Sequence, residues 1–184
     1  MTDIRFGTDG WRALIAEDFT FDNVARCAQG LCDYLKAAGT SDMGIVVGYD
    51  TRFLSPEFAE TVAAVCAGRG IKVYLSDKSA PTPVLSYNVL DRRSGGAAII
   101  TASHNPGQWN GFKFKPEYAG SATQEITDRL EEFIAKIPTP ATPSVAEGRN
   151  KGLIVDLEPQ GPYLKRIASL VDLDSIRASG LNVV

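Results

Sequence analysis

Ser103 stands in Thr101-Ala102-Ser103-His104-Asn105-Pro106-Gly107, directly after the apolar run Ala97-Ala98-Ile99-Ile100. A serine in a constrained, turn-rich loop can present its hydroxyl as a nucleophile, or it can cap a turn, because serine, asparagine and proline are all turn formers. His104 is the only histidine of the chain. Acyl transfer would need a base reaching the hydroxyl and an acid behind that base, and adjacent side chains rarely aim at each other. No G-x-S-x-G elbow is present. Phosphoryl transfer fits better, since its catalysis rests on cations around the migrating group and on positioning. Arg5, Arg12, Arg52, Lys113 and Lys115 supply cations in or beside loops and strand ends. Arginine forks bind phosphate oxygens in pairs. The plain alternative for each is a solvated surface charge.

Alternating strands and helices must hold these residues in place. Ile45-Val46-Val47, Ile71-Lys72-Val73-Tyr74-Leu75 and Ala97-Ala98-Ile99-Ile100-Thr101 read as buried strands. Phe112-Lys113-Phe114-Lys115 alternates apolar and basic residues, as a strand with one covered face does, and ends at Pro116. Phe21, Val24, Cys27, Ala28, Leu31 and Leu35 share one helical face, and Phe58, Val62, Val65 and Cys66 another. Ser55 is expected to cap the second helix, with Pro56 at its first position. Ile126, Leu130, Phe133, Ile134 and Ile137 define a further amphipathic helix. Pro138-Thr139-Pro140-Ala141-Thr142-Pro143 then excludes regular structure. The expectation is an α/β fold, a three-layer α/β/α domain with a mixed, mostly parallel sheet of about four strands, and ligand loops at the strands' carboxyl ends. Gly48-Tyr49-Asp50-Thr51-Arg52 and the Ser103 loop both fall there.

Length and composition agree. The 184 residues are 44% hydrophobic and 22% charged, as in an ordinary globular domain. At this size a core holds without metal or disulfides. Nineteen basic against twenty-two acidic residues leave a net charge of -3, against a nucleic-acid partner. Cys27, Cys32 and Cys66 lie in apolar helical patterns and read as buried reduced thiols. No window approaches the roughly 20 apolar residues of a membrane span, so no membrane partner is expected and a cytoplasmic location is. Near the end, Tyr163, Leu164, Ile167, Leu170 and Val171 share a helical pattern, and Leu181-Asn182-Val183-Val184 looks like an opening strand. A strand needs neighbours, so the chain reads as a fragment of something longer.

Four blocks, in order, are Phe6-Gly7-Thr8-Asp9-Gly10-Trp11-Arg12, Gly48-Tyr49-Asp50-Thr51-Arg52, Thr101-Ala102-Ser103-His104-Asn105-Pro106 and Asn110-Gly111-Phe112-Lys113. Together they resemble the first domain of the α-D-phosphohexomutase superfamily, which includes phosphoglucomutase, phosphomannomutase and phosphoglucosamine mutase. The resemblance covers essentially the whole chain. It implies that Ser103 accepts a phosphoryl group and exchanges it with a hexose phosphate, moving phosphate between the 1 and 6 hydroxyls through a bisphosphorylated sugar. It places Lys113 as the general acid/base, with His104 beside the phosphoserine and Arg12 closing the amino-terminal loop over the site. Arg12, Ser103, His104 and Lys113 would thus also bind phosphate and substrate.

The resemblance further implies Mg2+, held in part by the phosphate on Ser103, and a bisphosphorylated hexose as activator. The remaining metal ligands belong to a D-G-D-x-D-R loop that this chain lacks. Asp9 and Asp50 sit in blocks where the family uses them structurally and are not assigned to metal. Also missing are the sugar-specificity loop of the G-E-x-S-G type and the phosphate-binding loop of the R-x-S-G-T type. The expected partners are therefore a hexose phosphate and domains II to IV of the same polypeptide. Residues 1–137 would form domain I, and 138–184 a linker and helical segment leading into domain II. Alone, the chain is expected to be essentially inactive as a mutase. Trp11, where phosphoglucosamine mutases carry isoleucine, favours a glucose or mannose phosphate; for Trp11 and Trp109 themselves, packing is as good a reading as substrate contact. The alternatives are a non-catalytic α/β module binding an anion or nucleotide, disfavoured by the lack of G-x-G-x-x-G and P-loop motifs, and a serine hydrolase.

Overall fold

The computed structural model describes residues 3–7, 9–138 and 143–182. Thr8 of the first block, residues 139–142 of the proline-rich stretch, and Val183 and Val184 of the expected final strand lie outside the described residues.

The first strand, β1 (Trp11–Leu14), leads to α1 (Phe21–Ala37), whose start is capped by the Thr20 side chain accepting from the Asn23 amide. Val24, Cys27, Ala28, Leu31 and Leu35 are fully buried along one face, as the 3.6-residue period requires, while Phe21 is left at its edge. Leu31 and Leu35 each contribute roughly 1.5–3 kcal/mol by leaving water. Next come β2 (Ile45–Tyr49), α2 (Ser55–Gly68), β3 (Val73–Ser76), α3 (Thr82–Arg92), β4 (Gly96–Ile100) and β5 (Trp109–Pro116). After them follow α4 (Gln124–Ala135), α5 (Val145–Asn150), β6 (Ile154–Leu157), α6 (Gln160–Ala168) and α7 (Leu173–Ala178).

These strands form one sheet in the order β1-β5-β4-β2-β3-β6, with β4, β2, β3 and β6 mutually parallel and β5 antiparallel to both its neighbours, β4 and β1. One face packs on α1, α2 and α4, burying Trp11, Val47, Ile100, Phe112 and Phe114 among others. On the opposite face α3 buries Val46, Ala97 and Ile99 against Val84, Leu85 and Val89. The fold is thus the expected three-layer α/β/α arrangement with a mixed sheet.

Among the described residues the strand count is six rather than about four. β1 follows a glycine-rich segment and is only four residues long, and β6 is interrupted by Asp156, so neither carries a strong period-2 signal. β6 also extends the sheet beyond residue 137, adding an edge strand beside β3. A second correction concerns Ser55. The turn before α2 is made by Leu54 in the left-handed region (φ 58°), and the Ser55 hydroxyl, fully buried, caps nothing. Pro81 and Pro83 sit at the start of α3, where a missing N–H costs nothing. Among the described residues no helix is long and apolar enough to cross a membrane.

Candidate active site

β2 and β4 run parallel, so the turns after Tyr49 and Ile100 emerge at the same edge of the sheet. There the Arg52 guanidinium gathers the Ser103 loop: Nη2 donates to the carbonyls of Ser103 (2.9 Å) and Asn105 (2.6 Å), and Nη1 to those of Pro106 (2.9 Å) and Trp109 (3.0 Å). Nε lies 3.3 Å from Asp50 Oδ2. Arg52, a candidate phosphate ligand by sequence, is therefore committed to shaping the loop. Its carboxylate partner is fixed in turn. Asp50 Oδ1 accepts from the Arg52 amide (2.9 Å) and the Ser55 hydroxyl (3.0 Å), while Ser55 accepts from Asn110 Nδ2 (2.9 Å). One partly buried polar chain thus joins three of the four sequence blocks, and its buried end, the Asn110–Ser55 hydrogen bond, counts for more than it would in water.

Within that frame Ser103 is exposed and adopts φ 56°, a left-handed conformation unusual for a residue with a Cβ. Its amide donates to Thr101 Oγ1 (3.0 Å) and its carbonyl accepts from Arg52, so the backbone is held at both ends while the hydroxyl bonds to no described residue. Strain of this kind persists only where the surroundings over-determine it. His104 is exposed and its ring makes no hydrogen bond to a described residue. No serine–histidine–acid relay exists among the described residues, which leaves the hydrolase reading without a base.

Arg12 arrives from β1, opposite Gly111 of β5. A Cβ on Gly111 would stand 2.5 Å from the Thr101 carbonyl, 2.9 Å from that of Trp11 and 3.1 Å from Arg12 Cγ. Only glycine lets the Arg12 stem lie across the strand. Nη1 of Arg12 donates to Asn105 Oδ1 (3.2 Å), and its Nε is buried with no hydrogen-bond partner. An unsatisfied buried donor is costly unless a ligand acceptor completes it. Beside Arg12 opens a cleft of about 320 Å³, lined also by Arg5, Leu14 and Trp109.

Lys113 shares the sheet face of Gly111 and Lys115, by the alternation of β5. Both lysines are buried, and one carboxylate serves them: Asp9 Oδ2 lies 2.6 Å from Lys113 Nζ and Oδ1 2.7 Å from Lys115 Nζ. Burial pushes the Asp9 carboxyl up, but the two ammonium hydrogen bonds outweigh it and hold it below its ordinary 3.8. Gly10 (φ 105°) lets the amino-terminal loop descend onto the strand, where a Cβ would meet the Phe112 carbonyl at 2.5 Å.

The structure therefore brings Arg12 to the Ser103 loop by a direct hydrogen bond, and sets Lys113 on the same face two residues beyond Gly111. It places no hydrogen bond between Lys113 and Ser103. Arg5 lines the cleft beside Arg12 but is paired with Asp3 and Glu131. A cavity of about 630 Å³ lies between residues 3–5, Arg26 and α4, away from Ser103 and Lys113. Sequence reasoning missed the Arg52 clamp and the Asp9 bridge. The second had a signal, since two lysines alternating on a half-covered strand need a counter-charge.

A family profile described as phosphoglucomutase/phosphomannomutase, alpha/beta/alpha domain I, matches residues 3–141. The chain belongs to the phosphoglucomutase/phosphomannomutase family, as its domain I. A phosphoglucomutase of Staphylococcus epidermidis is 34% identical over 100% of this chain and 34% of its own length. One of Komagataeibacter xylinus is 31% identical over 98% of this chain and 35% of its own. The crystal structure of a Thermus thermophilus protein described as a phosphomannomutase superposes with TM-score 0.87 and 34% identity, covering 100% of this chain and 39% of that one. A Burkholderia thailandensis phosphoglucomutase/phosphomannomutase family protein (TM-score 0.74, 20% identity, 91% and 36% coverage) shares the fold. The chain spans about a third of the length of the curated relatives named here.

Magnesium finds no ready site in this domain I. Among the described residues no group of three or more histidine, cysteine, aspartate or glutamate side chains is placed to hold a metal ion, and Asp9 and Asp50 are committed to cations. Beyond an oxygen that a phosphate on Ser103 would offer, these residues do not fit an Mg2+ centre, which prefers several oxygen ligands in octahedral array.

Proposed function

We propose that this domain I carries the active serine of a phosphohexomutase, acting within a longer polypeptide that interconverts hexose 1-phosphate and hexose 6-phosphate. In this reading the phosphoryl group on Ser103 passes to the free hydroxyl of the bound sugar phosphate. The sugar hydroxyl gives up its proton as its oxygen bonds phosphorus, the Ser103 oxygen takes up a proton as its own P–O bond breaks, and a bisphosphorylated hexose forms. After the sugar turns over, Ser103 recovers a phosphoryl group from the other position. Lys113, presented as an ammonium by Asp9, supports the acid side of this exchange, donating toward the oxygen that loses phosphorus. Arg12 supports it by offering its unpartnered Nε and the rest of its fork to phosphate oxygens. His104 lies beside the serine, exposed to the same ligand. The bisphosphorylated hexose would also prime the serine, and any magnesium would draw most of its ligands from domains beyond this chain.

The observation carrying this reading is the Ser103 backbone, strained at φ 56° and fixed by the Arg52 clamp, with a free exposed hydroxyl at the strand edge. A site with few groups but rigid placement suits phosphoryl transfer, where positioning does most of the work. Substrate recognition would reside in other domains of the longer polypeptide, so these 184 residues alone should show negligible mutase turnover. The test is peptide mass spectrometry after incubation with a bisphosphorylated hexose. A phosphoryl group on the Ser103 peptide, lost in Ser103→Ala, is expected. Its appearance elsewhere, or its persistence in the variant, would remove the proposal.

A further inference from the structure

Two buried ammonium groups meet a single carboxylate on the second face of β5. Lys113 and Lys115 are 5% and 6% exposed, and Asp9 gives each of them one oxygen. Ser121 Oγ, 3.2 Å from Lys115 Nζ, adds a neutral partner to Lys115 alone. The cluster thus holds one more positive than negative charge, and a buried charge without a partner is costly. Such a surplus is relieved when an anion arrives.

The two lysines are not equivalent. Lys113 is the nearer to Gly111, which lies against Arg12 and the Thr101 carbonyl, whereas Lys115 is the nearer to the strand end and is additionally tied to Ser121. Were Asp9 bound to Lys113 only, turning that ammonium toward a phosphate would strand a carboxylate of which only 29% is exposed. Lys115 removes that penalty, because the carboxylate can pass to it entirely.

We propose that Asp9 and Lys115 are positioning residues for Lys113: Asp9 holds its ammonium aimed while the site is empty, and Lys115 keeps Asp9 when Lys113 turns to a phosphate. This rests on the phosphoryl-transfer reading of Ser103, but its test does not need Ser103 to be phosphorylated.

The test is trace acetylation of the 184-residue chain with acetic anhydride across a pH series, read per lysine by peptide mass spectrometry against the exposed Lys165. Melting curves report folding alongside. In Asp9→Asn the two ammoniums lose their shared counter-charge, and one must shed its proton more readily. Labelling of Lys113 or Lys115 near about pH 8 is expected to rise about tenfold or more, the pH at which it becomes reactive to fall, and Asp9→Glu to restore protection. If Asp9→Asn fails to fold, Lys113→Met and Lys115→Met serve instead. Each leaves Asp9 with one lysine, so the remaining lysine should stay as protected as in the parent chain. Unchanged labelling in folded Asp9→Asn, or several-fold deprotection of the remaining lysine in either methionine variant, would overturn the proposal. A failure of Ser103 to take phosphate would leave these results standing and would strike only the functional reading above.

Discussion

Arg52 Nη2 holds the carbonyl oxygen of Ser103 at 2.9 Å, across fifty-one positions of sequence. The proposed nucleophile is thus positioned by a backbone contact, while its hydroxyl stays clear. The same guanidinium grips three further carbonyls of the loop, and it is anchored behind by Asp50.

Arg52→Lys should loosen that loop. A lysine offers one compact ammonium and cannot span four carbonyls set around a planar fork. Loss of these charge-assisted bonds should cost about 2 kcal/mol in urea denaturation, and hydrogen exchange should quicken at residues 102–108 before it does in β4 or β5. Uniform protection in the variant would show that the loop holds itself.

Ser103→Gly separates stability from function. Glycine adopts φ 56° without the Cβ penalty, so the variant should gain up to about 1 kcal/mol in stability, although its greater unfolded-state freedom offsets part of this. It should accept no phosphate. A clear loss of stability would mean that the hydroxyl supports the loop.

Gly111→Ala should do the opposite. The added methyl meets two backbone carbonyls, which cannot rotate away, and would force β1 from β5. Overpacking of this kind costs about 1–3 kcal/mol. Because Arg12 rides on β1, phosphorylation of Ser103 should fall as well. Equal denaturation midpoints for variant and parent would contradict the close approach.

The Asp9 carboxyl is held below its ordinary 3.8: burial raises it, and the bonds from Lys113 and Lys115 more than reverse this. A depressed folded-state value stabilises the fold at pH values above the unfolded one and loses that stabilisation as pH falls through the folded one. The urea midpoint should therefore decline below about pH 4, and Asp9→Asn, already lacking the charge, should decline less over that range. Parallel acid limbs in the two proteins would exclude the linkage.

Cys27, Cys32 and Cys66 are fully buried. Burial pushes the Cys27 thiol far up, and the contact with Cys32, added to burial, does the same for Cys66. Thiolate is the reactive form. Iodoacetamide should consequently modify them only through opened molecules, far more slowly in the native chain than in urea. Rapid labelling of the native chain would place a cysteine nearer the surface.

The sequence determined the layers and the motif blocks. The period of Val24, Leu31 and Leu35 reads as a helix with one buried face, and the apolar runs at β2, β3 and β4 as covered strands, because local periodicity records which faces leave water. The turn residues around Ser103 likewise marked an exposed loop, and four ordered blocks marked the family. Tertiary structure alone decided what the charges do. Arg52, Asp50, Ser55 and Asn110 lie too far apart in sequence for any local pattern to join them, and Asp9 is over a hundred residues from the lysines it bridges. The short strands β1 and β6 also existed only once neighbours supplied their hydrogen bonds. Ion pairs and edge strands depend on three-dimensional proximity, which a one-dimensional pattern of polarity does not encode.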